Sequence, residues 1–445
     1  MPTLAWRSVR HSPARLLATL LAAFLGSTIT MGFTSLHDTA AAPGVDDKSA
    51  ETLSLAGGVV GGYGTLLVFF AIASTLTVNV RQRGAEMHLL RCTGATPGQI
   101  RAMVTGEAAA VALLGVVLAI GPAMLGGRAL VAEFRETGQV ADSVTHAFGP
   151  LALGAGFAVT LLAAVGAAAL AVRRATRATA GRSPRTRPRT VGGVLALIAG
   201  AASIASTFAL DPTEPALMAP PAYGSILASL GFAVLSPALL RVVLARLGRP
   251  VSALAGGGGY VAVRNLRRRA DQLAGVLMPL TLFVGIATAT LYVQGVESDA
   301  LAASGLKKSV DDKNLETLNL VVVGVIVVFA CVMLINTLYA TTAYRTHEFG
   351  CQRLAGSTPR QVLATVAIES LVTALTGIFF GTLAALGGVL AFTAVRTDEV
   401  VPGGRGPGVW LLVAGLALAA TLVTSLATAR RTLRTPAIEA VTVAA

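Results

Sequence analysis

Long apolar stretches separated by short polar segments form the main pattern of this 445-residue chain. Each stretch is about 20 residues or longer, the length at which an α-helix crosses a hydrocarbon core of about 30 Å. The predicted spans are Leu16–Leu36, Leu55–Val80, Val104–Val131, Phe148–Val172, Val191–Leu210, Tyr223–Leu247, Leu273–Val293, Leu318–Thr341, Val366–Val395 and Gly408–Ala429. The pattern therefore predicts an all-α polytopic membrane protein with ten transmembrane helices.

The polar segments between the spans alternate in charge. Arginines occur at 7–15, 81–101, 173–189, 241–269, 345–360 and 430–434. Acidic residues occur at 38–51, 133–142, 211–214, 297–316 and 398–399. The positive-inside rule assigns the arginine-containing segments and both termini to the cytosol. Arg7–Met31 also resembles a signal peptide, but a matching segment in the second half has no such role, so we expect the first span to be retained.

Composition supports the membrane assignment and argues against a nucleic-acid partner. Hydrophobic residues make up 54% of the chain, charged residues 13%, and the mean hydropathy is +0.71. The net charge of +13 comes from arginines in alternate loops without interleaved aromatic residues, unlike a nucleic-acid-binding surface. The high content of Ala, Gly and Arg is typical of a bacterial chain, so we expect a multi-pass protein of the bacterial cell membrane.

An internal repeat divides the chain into two related parts. Residues 46–55 return at 311–320 with seven of ten positions identical, and ten further pairs between 83–107 and 345–369 share an offset of 262. Ala5, Arg7 and Arg10 match Ala262, Arg264 and Arg267 more weakly. We predict a four-span unit at 1–173, a basic linker and two-span hairpin at 174–258, and a second four-span unit at 259–445. Because each unit has an even number of spans, the repeats are expected to be parallel.

The first repeated motif lies in segments predicted to be external. Its charged residues are Asp46, Asp47, Lys48 and Glu51 in the first copy and Asp311, Asp312, Lys313 and Glu316 in the second. The four residues of each copy begin an apolar helix, so they could be solvated helix starts. An external gate or a lipid-headgroup site is the alternative interpretation.

The second repeated motif predicts a structured loop, here named the first elbow (residues 83–107) and the second elbow (residues 345–369). In each, a glycine, Gly94 or Gly356, ends one short helix. A Thr-Pro-x-Gln sequence then begins the next helix with threonine as the cap, proline at the first position and glutamine completing a capping box. Two structured polar elbows at equivalent positions could dock a partner or simply pack on their own bundle.

The elbow sequences resemble the signature of FtsX-like permeases, the membrane subunits of MacB-type ABC transporters. The resemblance covers Arg83-x-x-Glu86 through Gly94-Ala95 and the corresponding segment from Arg345 to Ser357. In that family this loop is the coupling helix that sits in a groove of the ATPase. The residues implied in ATPase coupling are Arg83, Glu86, Arg91, Gly94, Thr96, Pro97, Gln99, Glu107, Arg345, Glu348, Arg353, Gly356, Thr358, Pro359, Gln361 and Glu369.

The chain also departs from the family pattern. The segments 37–54 and 294–317 are too short to be the large external domain that family members usually carry. Gly98 stands where the second elbow has Arg360, and His88 stands where it has Gly350, so the first elbow is the less typical one. The resemblance implies a complex with an ABC-type ATPase, two copies per chain, and ATP and magnesium bound in that partner.

The sequence contains no phosphate-binding Gly-x-x-x-x-Gly-Lys-Ser/Thr loop and no zinc-ligand spacing. We therefore expect no enzymatic activity and no cofactor in this chain. Its spans carry almost no charge at mid-depth, which disfavours ion coupling. Export or extraction of a hydrophobic, lipid-like or antimicrobial compound is the first functional prediction. The alternative is ATP-driven signalling to an external partner such as a cell-wall hydrolase or a sensor kinase.

Overall fold

The fold is described from a computed structural model. The structure describes residues 13–54, 56–58, 65, 72, 75–76, 84–136, 138–178, 187–212, 215–303, 334–335, 338–339, 342, 345–397, 399 and 406–442. These residues fall into two compact units. The first unit contains the described residues up to 178, and the second contains those from 187 onward.

The described residues form long α-helices joined by short turns. In the first unit these are α1 (Pro13–Ala40), α2 (Gly84–Cys92), α3 (Pro97–Glu136) and α4 (Pro150–Ala178). The second unit has α5 (Arg187–Ser206), α6 (Ala219–Leu254), α7 (Gly256–Ala303), α8 (Thr346–Leu354), α9 (Pro359–Thr397), α10 (Gly408–Thr432) and α11 (Ala437–Thr442). Short 3₁₀ turns at Thr207–Ala209 and Pro215–Met218 lie between α5 and α6.

Eight of the described helices are long and apolar enough to cross a membrane. They coincide with eight of the predicted spans, and the chain is an all-α polytopic membrane protein. The other two predicted spans, Leu55–Val80 and Leu318–Thr341, lie mostly outside the described residues. Several helices extend well past the predicted span; α7, for example, begins at Gly256, whereas its apolar part begins at Leu273.

In the first unit, α1 packs against α3 and α4. Small residues allow close contact: a Cβ on Gly115 would lie 2.8 Å from the Cβ of Ala23. The Ser27 and Thr160 hydroxyls are 2.8 Å apart between α1 and α4. Asp38, near the end of α1, accepts hydrogen bonds from the backbone N–H groups of Leu151 and Ala152 and so caps α4. These contacts tie the three helices together within the bundle and at one end.

In the second unit, α6, α7 and α9 pack closely on one another, and α5 packs on α6. The predicted two-span hairpin, α5 and α6, is thus part of the second unit's helix packing. A Cβ on Gly285 would clash with the Ser229 hydroxyl, and one on Gly388 would clash with the Ser225 hydroxyl. Such close approach of backbones through small residues is the common mode of helix association in membranes.

At the end of the second unit that is predicted to be external, an ion pair joins α7 to α9. Arg396 donates two hydrogen bonds of 2.8 Å to the two carboxylate oxygens of Glu297. Its remaining amino group donates to the Pro212 carbonyl oxygen at 2.6 Å. One arginine therefore holds α7, α9 and the segment between α5 and α6 at this end.

Candidate functional site

Both elbows have the predicted backbone turn. Gly94 and Gly356 follow the ends of α2 and α8 with φ angles of 92° and 95°. In the first elbow the Ala95 N–H donates to the Leu90 carbonyl at 2.9 Å. The second elbow has the same bond, from the Ser357 N–H to the Gln352 carbonyl, at 3.0 Å. This is the Schellman arrangement, in which a left-handed glycine ends the helix, and the predicted glycine stop is confirmed in both copies.

The capping boxes are confirmed as well. In the first elbow the Thr96 N–H donates to the Gln99 side-chain oxygen at 2.9 Å, and the Gln99 N–H donates to the Thr96 hydroxyl at 3.3 Å. The Thr358–Gln361 pair of the second elbow shows the same two bonds at the same two distances. Pro97 and Pro359 are the first residues of α3 and α9. Elbow residues that lie 262 positions apart in the sequence therefore have the same local backbone structure.

Each elbow exposes a leucine outside the apolar spans. Leu89 of α2 is 65% exposed and Leu354 of α8 is 57% exposed. Around Leu354, the residues Thr358, Arg360 and Gln361 are also exposed. Each elbow thus has an exposed leucine outside the predicted spans, and the leucine of the second elbow has exposed polar neighbours.

A cluster of charged residues joins the second elbow to its span. The Arg345 guanidinium donates to the Glu369 carboxylate at 2.5 and 3.2 Å. It also donates to both carboxylate oxygens of Glu348, at 3.0 and 3.1 Å. Side-chain exposure is 14% for Arg345 and 9% for Glu369, so this pair is largely buried. The first turn of α8 and the third turn of α9 are therefore linked by one arginine.

Two residues of α7 complete this cluster. Asn265 donates its amide N–H to Glu369 at 2.9 Å, and Arg269 forms an ion pair with Glu348. Gln352 of α8 donates to Glu348 at 3.3 Å. The cluster thus connects α7, α8 and α9. We name Asn265, Arg269, Arg345, Glu348 and Glu369 the elbow cluster.

The mutual attraction within the cluster outweighs the cost of its burial. Burial disfavours the charged guanidinium of Arg345, but Glu369 and Glu348 overcome this effect and raise the pKa of Arg345 above its usual value. Burial also disfavours the Glu348 carboxylate, yet Arg345 and Arg269 lower its pKa below the usual value. The Arg345 guanidinium also lies 4.9 Å from the centre of the Phe349 ring. Both groups of the pair are therefore held in their charged forms.

The C-terminal part of the chain packs on the other side of α8. Arg353 donates to the carbonyl oxygens of Leu433 and Thr435, at 3.2 and 2.8 Å, just beyond the end of α10. Gly350 faces α11 so closely that a Cβ there would lie 2.9 Å from the Cβ of Ala440. Helix α8 is thus held between the elbow cluster and the C-terminal helix, an arrangement that the sequence did not indicate.

The corresponding residues of the first elbow are only partly described. Arg83 lies outside the described residues, and Glu86 lies in α2 with no description of its side chain. Arg91 is in the last turn of α2. Glu107, the counterpart of Glu369, is buried in α3 at 3% exposure. The burial of this carboxylate in both copies is a further feature that the two elbows share.

The external motif is described in its first copy. Asp46 accepts a hydrogen bond from the Ser49 N–H at 3.1 Å, in the manner of a helix cap. Hydrogen bonding to the Ser49 side chain and to its backbone N–H lowers the pKa of Asp46. Asp47, Lys48 and Glu51 are exposed on the helix that follows. The second copy, with Asp311, Asp312, Lys313 and Glu316, lies outside the described residues, so a functional role for the motif stays a prediction.

Asn265 and Arg269 were not among the predicted site residues. A weak repeat match includes the neighbouring Arg264 and Arg267, but by that alignment Ser8 and Ser12 stand where Asn265 and Arg269 stand. The elbow cluster is therefore not duplicated in full, and repeat comparison alone misses these two members. The run of three arginines immediately before a span was the available signal. Among the described residues, no group of three side chains is arranged to bind a metal ion.

The comparison with protein families agrees with this duplicated geometry. The model of the FtsX-like permease C-terminal region matches residues 58–180 and again residues 320–437, together more than half of the chain. The chain belongs to the FtsX-like permease family. The two matches begin 262 residues apart, which is the offset between the elbows. No curated protein matches the chain significantly.

Family membership sets the general role. FtsX-like permeases are membrane subunits of ABC-type systems, are generally not catalytic, and typically work with an ABC ATPase. The FtsX-like permease described here is accordingly a multi-pass membrane subunit with an internal repeat.

Proposed function

We propose that this FtsX-like permease couples ATP hydrolysis by a separate ATPase to movement of its membrane helices, with each elbow docking one ATPase. The observation that carries the proposal is the duplicated elbow, which has the same glycine stop, the same capping box and an exposed leucine in both units. A turn that served only to re-enter the membrane would not require this local structure twice.

The elbow cluster supplies a physical route for coupling. A displacement of α8 by a docked ATPase acts directly on Glu369 of α9 and, through Glu348, on Arg269 of α7. Charge-assisted hydrogen bonds in a largely buried setting are short and strong, so the three helices respond together rather than one by one. ATP and magnesium would bind in the partner ATPase.

The cargo proposed is a hydrophobic, lipid-like or antimicrobial compound that is exported or extracted from the membrane. The support is the apolar character of the described spans, whose buried glutamates, Glu107 and Glu369, are the last residues of the two elbows. Such spans suit an apolar cargo better than an ion. The protein would reside in a bacterial cell membrane, with both termini and both elbows in the cytosol.

The test of the proposal is the co-purification of an ABC ATPase with the permease. Leu89→Asp and Leu354→Asp place a charge on the proposed docking face of each elbow, and each should reduce the recovered ATPase, the double variant by roughly tenfold or more. Phe208→Asp is the matched control, because Phe208 is 62% exposed at the end predicted to be external. Equal ATPase recovery with all variants would show that the elbows are ordinary turns.

A further inference from the structure

The corner between α6 and α7 is a tight reversal of the chain. Helix α6 ends at Leu254, and Gly256 has a φ angle of 56°. A Cβ on Gly259 would lie 2.7 Å from the Ala255 Cβ and 2.7 Å from the Val251 carbonyl oxygen. Only glycine fits at position 259, and α7 can therefore run back along α6 from its first turn.

The two helices then pack side by side. Leu240 and Leu244 of α6 form a buried cluster with Val263 and Leu266 of α7. Arg267 reaches across to α6 and donates to the Leu244 carbonyl oxygen at 2.9 Å. This geometry places the basic residues of both helices at the same end of the helix pair.

That end of the helix pair has a large excess of positive charge. Between residues 241 and 272 the chain has seven arginines and one acidic residue, Asp271. Asp271 pairs with Arg241, and Arg269 pairs with Glu348 of the elbow cluster. Five exposed arginines remain without an acidic partner among the described residues: Arg246, Arg249, Arg264, Arg267 and Arg268.

Large apolar side chains are exposed on the same corner. Leu254 is 90% exposed, Tyr260 is 58% exposed and Leu247 is 54% exposed. The corner lies beside the beginning of span α9, because a Cβ on Gly258 would be 3.8 Å from Ile368 and 3.9 Å from Thr365. Exposed leucine and tyrosine together with arginine at the edge of a span form the combination found at the boundary between hydrocarbon and headgroups.

We infer that the α6–α7 corner is a binding site for anionic phospholipid, with Arg246, Arg249 and Arg268 holding the headgroup phosphate and Leu247, Leu254 and Tyr260 contacting the acyl chains. A guanidinium group can donate two parallel hydrogen bonds to the oxygens of one phosphate. Basic surfaces at the cytosolic edge of membrane helices also attract anionic lipid. The positive-inside rule alone would explain the arginines of this corner, but it would not explain the exposed apolar side chains beside them. The inference does not depend on the proposed function, since it concerns the permease alone.

The experiment measures binding of phosphatidylglycerol and phosphatidylcholine to the purified full chain by native mass spectrometry. Phosphatidylglycerol should bind preferentially, and its affinity should fall with increasing salt. The triple variant Arg246→Gln, Arg249→Gln, Arg268→Gln should lose affinity by roughly tenfold or more. The corresponding triple lysine variant keeps the charge and should retain most of the preference for phosphatidylglycerol, which also shows that substitution at these positions is tolerated.

The matched control neutralises three exposed arginines on the same predicted side of the membrane, Arg430→Gln, Arg431→Gln and Arg434→Gln. This control should leave phosphatidylglycerol binding nearly unchanged. Equal losses in the two glutamine triples would mean a general charge effect and would overturn the inference. Displacement of the lipid by inorganic phosphate would also overturn it, because it would show that the site takes a free anion.

Discussion

At the scale of single residues, Arg345 shows what the elbow requires. Its guanidinium is largely buried and has two carboxylates as partners, so burial is compensated only while both remain. Removing one of these carboxylates leaves the largely buried Arg345 with a single counter-ion, which costs far more than breaking an exposed ion pair. The elbow cluster should therefore contribute to stability as well as to coupling.

Glu369→Gln should destabilise the second unit by about 2 to 4 kcal/mol, since it removes the charge that faces Arg345. Asp271→Asn is the matched control, because Asp271 pairs with Arg241 on the surface with side chains 62% and 50% exposed. That change should cost less than about 1 kcal/mol. Denaturant titration in lipid micelles measures both values, and equal effects would contradict a buried, compensated pair.

The stabilising effect of Glu348 should depend on pH. Its pKa is lower in the folded chain than the ordinary value of 4.5. Its contribution to stability is therefore fully present above that value and is lost as the pH falls through the folded-state pKa. The difference in unfolding free energy between wild type and Glu348→Gln should be widest near neutral pH and should shrink below about pH 4. A difference that stays constant into acid would contradict the assignment.

Local residue patterns made the elbow backbone predictable. Gly94 and Gly356, and the threonine and glutamine of each capping box, act within a few positions of one another, so their geometry follows from the sequence alone. Asn265 and Arg269 reach Glu369 and Glu348 from about 80 to 100 residues away along the chain. These contacts depend on how α7 packs against α8 and α9, and a local sequence pattern does not predict that packing.

At the scale of helices, hydropathy located the spans but not the full helices. Span seven was predicted as Leu273–Val293, whereas α7 runs from Gly256 to Ala303. The apolar pattern reports the part of a helix that meets lipid, and the arginine-rich turns before it continue as helix without an apolar signal. Helix α11 was not predicted, because a helix of six residues is too short to show a hydrophobic periodicity.

The contact between α8 and α11 gives the prediction that belongs to this scale. Gly350→Val would place side-chain atoms against Ala440 and Val441, and should release α11 from α8. Backbone amides of 437–442 should then exchange about tenfold faster in hydrogen–deuterium exchange, which corresponds to about 1.4 kcal/mol. Gly106→Val in α3 is the control, because a Cβ there meets nothing within 4 Å. Unchanged exchange in Gly350→Val would show that α11 is not held by this contact.

At the scale of the whole molecule, the duplicated elbow and the charge pattern predict which ends face the cytosol. Cysteines introduced at the exposed positions Lys48 and Ser143, in a background with Cys92, Cys331 and Cys351 replaced by serine, should react with an impermeant maleimide in intact cells. The native Cys92 and Cys351 are exposed on the elbows and should react only after permeabilisation. Labelling of Cys351 in intact cells would reverse the topology.

The sequence predicted the membrane class, the repeat and the elbows of this FtsX-like permease, because each depends on pattern or composition. It did not indicate that α5 and α6 join the helix packing of the second unit. In that packing Ser225 lies against Gly388 and Ser229 lies against Gly285. Which serine meets which glycine depends on the tertiary structure and cannot be read from local sequence.

The mass of the detergent-solubilised complex tests the central claim most directly. If each elbow docks one ATPase, native mass spectrometry should find one 45.1 kDa permease with two ATPase subunits. The Leu89→Asp or Leu354→Asp variant should lose one of them, and the double variant should lose both. A complex of two permeases with two ATPases, or an ATPase content unaffected by both substitutions, would contradict the claim.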